Sequence, residues 1–149
     1  MGIEANEDLV RRWIAMFNTH DLSEADRLAA LDYVEHAIAV FGRAATGPTD
    51  GPRHLKDAAS WLVAQFPDLD MQIEALVADD DTVGVLVTST GTNLGPLNGV
   101  IPPTGRRFTA RQSHWFRIRD GRLAEHWATR DDLSAMIQLG VVTPPGRPG

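Results

Sequence analysis

The hydrophobic period of this chain changes once, at Pro67, and that change restricts the fold more than any other feature. Before it, apolar residues recur at helical spacing. In "NEDLVRRWIAMFNTHD", Leu9, Trp13 and Phe17 fall at i, i+4 and i+8, and Val10 and Ile14 widen the stripe. Glu7 and Asp8 suit the positive end of such a helix. "LSEADRLAALDYVEH" reads as a second, shorter helical segment, with Ser23 and Asp26 as an imperfect capping box. "AIAVF" reads as a short strand and "GRAATGPTDGP" as a loop. A third helix is expected from about Pro52, with Leu55, Ala58, Ala59, Leu62 and Phe66 on one face. Pro67 stops it.

Beyond Pro67 the period is two. "DMQIEALVA" places Met71, Ile73, Ala75 and Val77 on one face, and "TVGVLVTSTGT" pairs back across the Asp79-Asp80-Asp81 turn. A loop rich in Gly and Pro, "NLGPLNGVIPPTG", leads to a last hairpin, "RRFTARQSHWFRIR" and "RLAEHWAT", around Asp120-Gly121. "DDLSAMIQLG" closes as a short helix with Gly140 at its C-cap. Helices followed by antiparallel strands imply an α+β fold, a sheet with helices on one face. Residues 1–142 are expected to form one domain, and "TPPGRPG", 143–149, a disordered tail.

The last hairpin carries the polar residues of interest, and its register decides where they point. A two-residue turn would pair His114 with Trp127 and put the two histidines on opposite faces. A three-residue loop with Gly121 in a G1 bulge would instead pair His114 with His126. The second register gives one face Gln112, His114, Phe116, Ile118, Ala124, His126 and Ala128. It gives the other Trp115 and Trp127 among charges. That sorting favours the bulge. The first face suits a ligand pocket; the second is either a homodimer surface or sheet surface covered by its own tryptophans.

Composition narrows the functions. A net charge of −6 argues against nucleic acid or an anionic membrane as partner, and no apolar run is long enough for a membrane span. The first ten residues lack the basic and apolar regions of a secretory signal, which leaves the cytoplasm as the expected compartment. With no Cys, thiolate nucleophiles and zinc–thiolate sites are excluded. The histidines lack the spacing that preorganises a metal site, so no metal is expected.

The order of elements, with "DYVEHAI", "GVIPPTGRRF" and "EHWATRDDLSAMIQLG", resembles the SnoaL-like polyketide cyclase (ester cyclase) branch of the NTF2-like superfamily over residues 6–142. The resemblance implies a curved antiparallel sheet around a cone-shaped cavity, closed by N-terminal helices, with dimers packed through the convex face. It also implies cofactor-free ring closure of a polyketide ester by intramolecular aldol condensation, using a pocket carboxylate beside a histidine. Gln112 and His114 resemble the family's Gln-x-His pair, and His36 resembles the histidine ending the second-helix motif. Where members often read Glu-His-Trp-Asp-x-x-Asp, this chain has Ala128 in place of the first Asp. His126 or Asp131 would then have to substitute.

The candidate acid–base residues are therefore His114, His126, His36 and Asp131, with Gln112, Phe116, Trp13, Phe17 and Trp61 as substrate contacts. An imidazole suits removal of a proton alpha to a carbonyl at neutral pH, and Gln112 suits donation to an enolate oxygen. Each has a structural alternative: a buried histidine pair, a helix-capping Asp131, aromatic residues that only fill the core. A small hydrophobic oxygenated substrate is the expected partner. A limonene-type epoxide hydrolase would need an Asp-Arg-Asp set in the pocket, and the expected register faces Arg111 outward. A non-catalytic binding domain would use the same cavity.

Overall fold

The computed structural model describes residues 2–38 and 46–146. Helix α1 spans Ile3–Thr19 and buries Leu9, Val10, Trp13, Ile14 and Phe17, the stripe expected from sequence. A 3₁₀ turn, Leu22–Glu24, begins at Asp21, whose carboxylate accepts the Ser23 N–H, and leads into α2, Ala25–Leu28. Here the reading of a second helix through residue 36 is corrected. The chain turns into strand β1 at Ala29 and stays extended to Glu35. Leu28 is the last residue to bury a helical stripe; Tyr33 and Glu35 are then buried at period two. Ala37 and Ile38 carry no strand, and the rest of "AIAVF" lies outside the described residues. Within the expected loop, Gly47–Thr49 forms β2, antiparallel to β1.

Helix α3, Gly51–Gln65, starts at Asp50, whose carboxylate accepts the Arg53 N–H, and has Pro in its first turn. Strands β3, Asp70–Ala78, and β4, Thr82–Thr92, form the expected hairpin. A bulge between Ile73 and Ala75 breaks the expected alternation. Beyond it Leu76 and Ala78 pack on the core, and Val77 is exposed. Strands β5, Arg107–Arg119, and β6, Arg122–Arg130, complete one six-stranded sheet in the order β2-β1-β6-β5-β4-β3. Helix α4, Asp132–Gln138, packs against β5 and ends with Gly140 at φ +80. Gly140 N–H donates to the Ile137 carbonyl and Val141 N–H to that of Met136, so the helix closes as a Schellman motif.

The sheet curves around α1 and α3. Asn18, near the end of α1, both donates to the Met71 carbonyl and accepts from the Met71 N–H, clamping the helix to edge strand β3. No helix among the described residues is long and apolar enough to cross a membrane.

The register of β5 and β6 differs from both sequence alternatives. The turn is a two-residue one, Ile118 opposite Leu123, with Asp120 at φ +52 and Gly121 at φ +71, the signs a type I′ turn requires. The extra residue lies in the strand: Ala124 has no partner between the Ile118–Leu123 and Arg117–Glu125 pairs. Leu123 and Ala124 are accordingly both buried. Past the bulge, Phe116 faces His126, His114 faces Ala128, and Trp115 faces Trp127. The two histidines share a face as expected, but by a strand bulge rather than a bulged loop. Because Gly121 holds a positive φ, Gly121→Val is expected to cost about 1–2 kcal/mol of stability in urea unfolding. An unchanged midpoint would contradict the turn.

Candidate active site

Four elements bring polar side chains to one point on the concave face. Strand β1 runs parallel to β6 with Glu35 as the register partner of His126. Consecutive strand residues face opposite ways, so Glu35 points inward and His36 outward. The Glu35 carboxylate accepts a 2.7 Å hydrogen bond at Oε1 from His126 Nδ1, and the Ala37 N–H donates to the same oxygen at 3.0 Å. Its Oε2 meets His54 Nε2 at 3.0 Å and accepts from Tyr33 OH at 3.1 Å. His126 Nε2 lies 2.9 Å from His114 Nδ1, and His114 Nε2 lies 2.9 Å from Gln112 Oε1. The result is a continuous chain, Gln112–His114–His126–Glu35, ending in three further donors, Tyr33, His54 and the Ala37 N–H.

Burial makes this chain costly unless every group is paired. Glu35 is 6%, His114 4% and His126 6% exposed. Burial alone would raise the Glu35 pKa, but the His126 and His54 hydrogen bonds, the His126 charge and the Ala37 N–H hold it far below the usual carboxylate range. His114 is pushed well down by burial, then by the neighbouring His126 and Arg130 charges. Tyr33 is raised by burial and by the Glu35 charge, so its hydroxyl stays protonated and donates.

Two proton arrangements satisfy the chain, and the direction of the Gln112 amide decides between them. Gln112 presents its amide oxygen, so His114 Nε2 carries a hydrogen and His114 Nδ1 accepts. His126 Nε2 must then donate to His114 while its Nδ1 donates to Glu35, which places protons on both His126 nitrogens. Turning the Gln112 amide over would present N–H instead and satisfy the same chain with both imidazoles neutral.

The chain borders a cavity of about 520 Å³, a volume suited to a small organic ligand. Trp13, Phe17 and Trp61 line it, with Gln112 beside the two histidines. Trp13 packs on both imidazoles, at 4.9 Å from His114 and 5.6 Å from His126, and its buried Nε1–H has no hydrogen-bond partner. Phe116 is corrected: it is fully buried behind the site, stacked on His126 at 4.8 Å, and is absent from the cavity wall. His36 is corrected too. It lies on the outer face, stacked on Trp127 at 4.6 Å with Nε2 3.0 Å from Glu125. Asp131 reaches the cavity rim, but its carboxylate caps α4 at the Ser134 N–H. Arg111 pairs outward with Glu74, as expected.

Glu35 and His54 escaped the sequence reading. The signal for Glu35 was present in "LDYVEH", where Tyr33 and Glu35 are two apart and no helical stripe continues past Leu28. His54 had no such signal, since its role depends on how α3 sits across β1.

A curved sheet closed by N-terminal helices around a polar-tipped apolar cavity defines the NTF2-like class. The profile of the SnoaL-like polyketide cyclases matches residues 7–139, and the chain belongs to that family. It is 30% identical over 136 residues to an aklanonic acid methyl ester cyclase of Streptomyces peucetius, spanning 89% of each chain. It is 28% identical over 129 residues to the nogalonic acid methyl ester cyclase of Streptomyces nogalater, spanning 85% and 91%. Among solved structures, TsrD of Streptomyces laurentii superimposes with a TM-score of 0.81 at 27% identity, over 95% of this chain and 99% of that one. IdmH of Streptomyces antibioticus gives 0.75 at 32% identity, over 91% and 98%.

The lowered His114 pKa has a stability consequence. The unfolded chain binds a proton at this residue more readily than the folded one, so its contribution is present above about pH 6.5 and lost as pH falls. Urea unfolding is expected to show stability declining from about pH 7 to pH 5, less steeply in His114→Gln. Equal slopes in the two proteins would contradict the neutral buried imidazole.

Proposed function

We propose that this protein is a polyketide ester cyclase that closes a ring by intramolecular aldol condensation within the cavity, without a cofactor. The observation that carries the reading is the hydrogen-bonded His114–His126 pair anchored on buried Glu35 at the wall of an apolar cavity. The names of two relatives, cyclases of aklanonic and nogalonic acid methyl esters, support an aromatic polyketide methyl ester as the substrate class.

The reaction needs a base for a proton alpha to a carbonyl, a donor for the enolate oxygen, and a proton for the alkoxide that follows. His114 is the group to take and return the proton. Gln112 is the available donor for the enolate. Apolar walls keep water from the carbanion and strengthen each of these interactions. The step thus draws its acid, base and donor from side chains.

His114→Ala and His126→Ala are each expected to lower kcat/KM for cyclisation of an aromatic polyketide methyl ester by about 10²–10⁴, with circular dichroism unchanged. Full activity in both variants would overturn the assignment. The outer face supports a second proposal. Trp115 and Trp127 adjoin there and stay 45% and 36% exposed, although Trp115 already covers Gly84 and Trp127 stacks on His36. We propose that two copies pair through this face. Joint substitution of Trp115 and Trp127 by Ala is expected to shift sedimentation toward monomer; an unaltered distribution would point to another surface.

A further inference from the structure

We infer that His114, on taking the substrate proton at Nε2, passes its own Nδ1 proton to His126, where Glu35 holds it, so that His114 is neutral before and after the transfer and Glu35 is a positioning residue acting through His126. The inference deepens the proposed cyclase reading and rests on it for its catalytic meaning.

The geometry supplies both end states. In the empty state, Glu35 accepts from His126 Nδ1–H, His126 Nε2 accepts from His114 Nδ1–H, and the His114 Nε2 lone pair accepts from the Gln112 amide N–H. The substrate displaces that N–H and brings its C–H bond to the lone pair. When the substrate C–H bond breaks, its proton binds His114 Nε2, and the His114 Nδ1 proton moves 2.9 Å along the existing hydrogen bond to His126 Nε2. The electron pair of the C–H bond becomes the enolate. His114 has exchanged one proton for another, His126 is an imidazolium, and Gln112 Oε1 now accepts from His114 Nε2–H. This loaded state is the arrangement in which the Gln112 amide oxygen lies toward His114 Nε2, 2.9 Å away. After the enolate carbon bonds to the second carbonyl, the alkoxide takes the proton from His114 Nε2, His126 returns one to His114 Nδ1, and the chain is empty again. No proton is gained or lost overall.

The surroundings favour His126 over His114 as the resting place for charge. His126 contacts the Glu35 carboxylate, which Tyr33 from β1 and His54 from α3 hold in place. His114 faces only the neutral Gln112 and His126, with the Arg130 guanidinium at the end of β6 opposing a second charge. Helix α1 presents Trp13 there, an uncharged ring. The carboxylates of Asp131 and Asp132 line the cavity, that of Asp131 capping α4 at the Ser134 N–H and that of Asp132 paired with Arg130.

Long-range ¹H–¹⁵N correlation spectra of histidine-labelled protein test this without any substrate. As pH is lowered, the single proton taken up is expected on His126, with both its nitrogens protonated, while His114 stays neutral and its hydrogen moves from Nδ1 to Nε2. In Glu35→Gln the same uptake is expected at least about one pH unit lower, a tenfold weaker hold on the proton, and Glu35→Asp should largely restore it. Conversion of His114 to the imidazolium in the wild-type protein would overturn the inference even if a variant failed to fold. So would a folded Glu35→Gln variant that titrates like wild type.

Discussion

The hydrogen bond between Glu35 and His126, 2.7 Å long and almost wholly out of water, is the interaction on which the site depends. A carboxylate buried to this degree is stable only if its charge is matched and its lone pairs are filled. Four donors from three stretches of chain fill them: Tyr33, the Ala37 N–H, His54 and His126. Each donor is placed by a different feature of the fold. The parallel pairing of β1 with β6 sets Glu35 opposite His126, the first turn of α3 lowers His54 onto it, and the chain after β1 supplies Ala37. Removing Glu35 would leave these donors unpaired and take from His126 its counter-charge.

The second constraint is the bulge at Ala124. With a regular ladder running from the Asp120-Gly121 turn, His126 would face away from the cavity and no imidazole pair would exist. One small residue, buried beside Leu123, turns the strand by one position. The same shift puts Ala128 opposite His114. Ala128 stands where the resemblance to the SnoaL-like cyclases implies a carboxylate after the Trp. In this chain the carboxylate reaches the histidines from β1 instead, on the far side of His126.

Much of this was legible in the sequence, and the failures share a cause. The stripe of α1, the start of α3, the β3–β4 hairpin and the capped α4 rest on local periodicity and turn chemistry, and these gave the α+β fold. His114, His126 and Gln112 were found because two strands of one hairpin sort their side chains together. Glu35 was missed because "DYVEH" reads as the continuation of a helical segment, although Tyr33 and Glu35 already stand two apart; pairing with β6, about ninety residues later, holds it as strand. His36 was misplaced for the same reason, since it follows the last residue of β1 and lies on the outer face against Trp127 and Glu125. Bulges at Glu74 and Ala124 were invisible to a reading that assumed unbroken alternation. Phe116 shares its face with the site, yet depth behind His126, not face, decides what a ligand can touch.

The central claim is that His114 Nε2 meets the reacting carbon of a substrate in this cavity. A crystal structure of the protein soaked with an unreactive aromatic polyketide methyl ester analogue tests it most directly. The account predicts the analogue between Trp13 and Trp61, its acidic carbon about 3–3.5 Å from His114 Nε2, with the Gln112 amide displaced or turned over. An analogue seated elsewhere, or one bound in the cavity with Gln112 still accepting from His114, would contradict it.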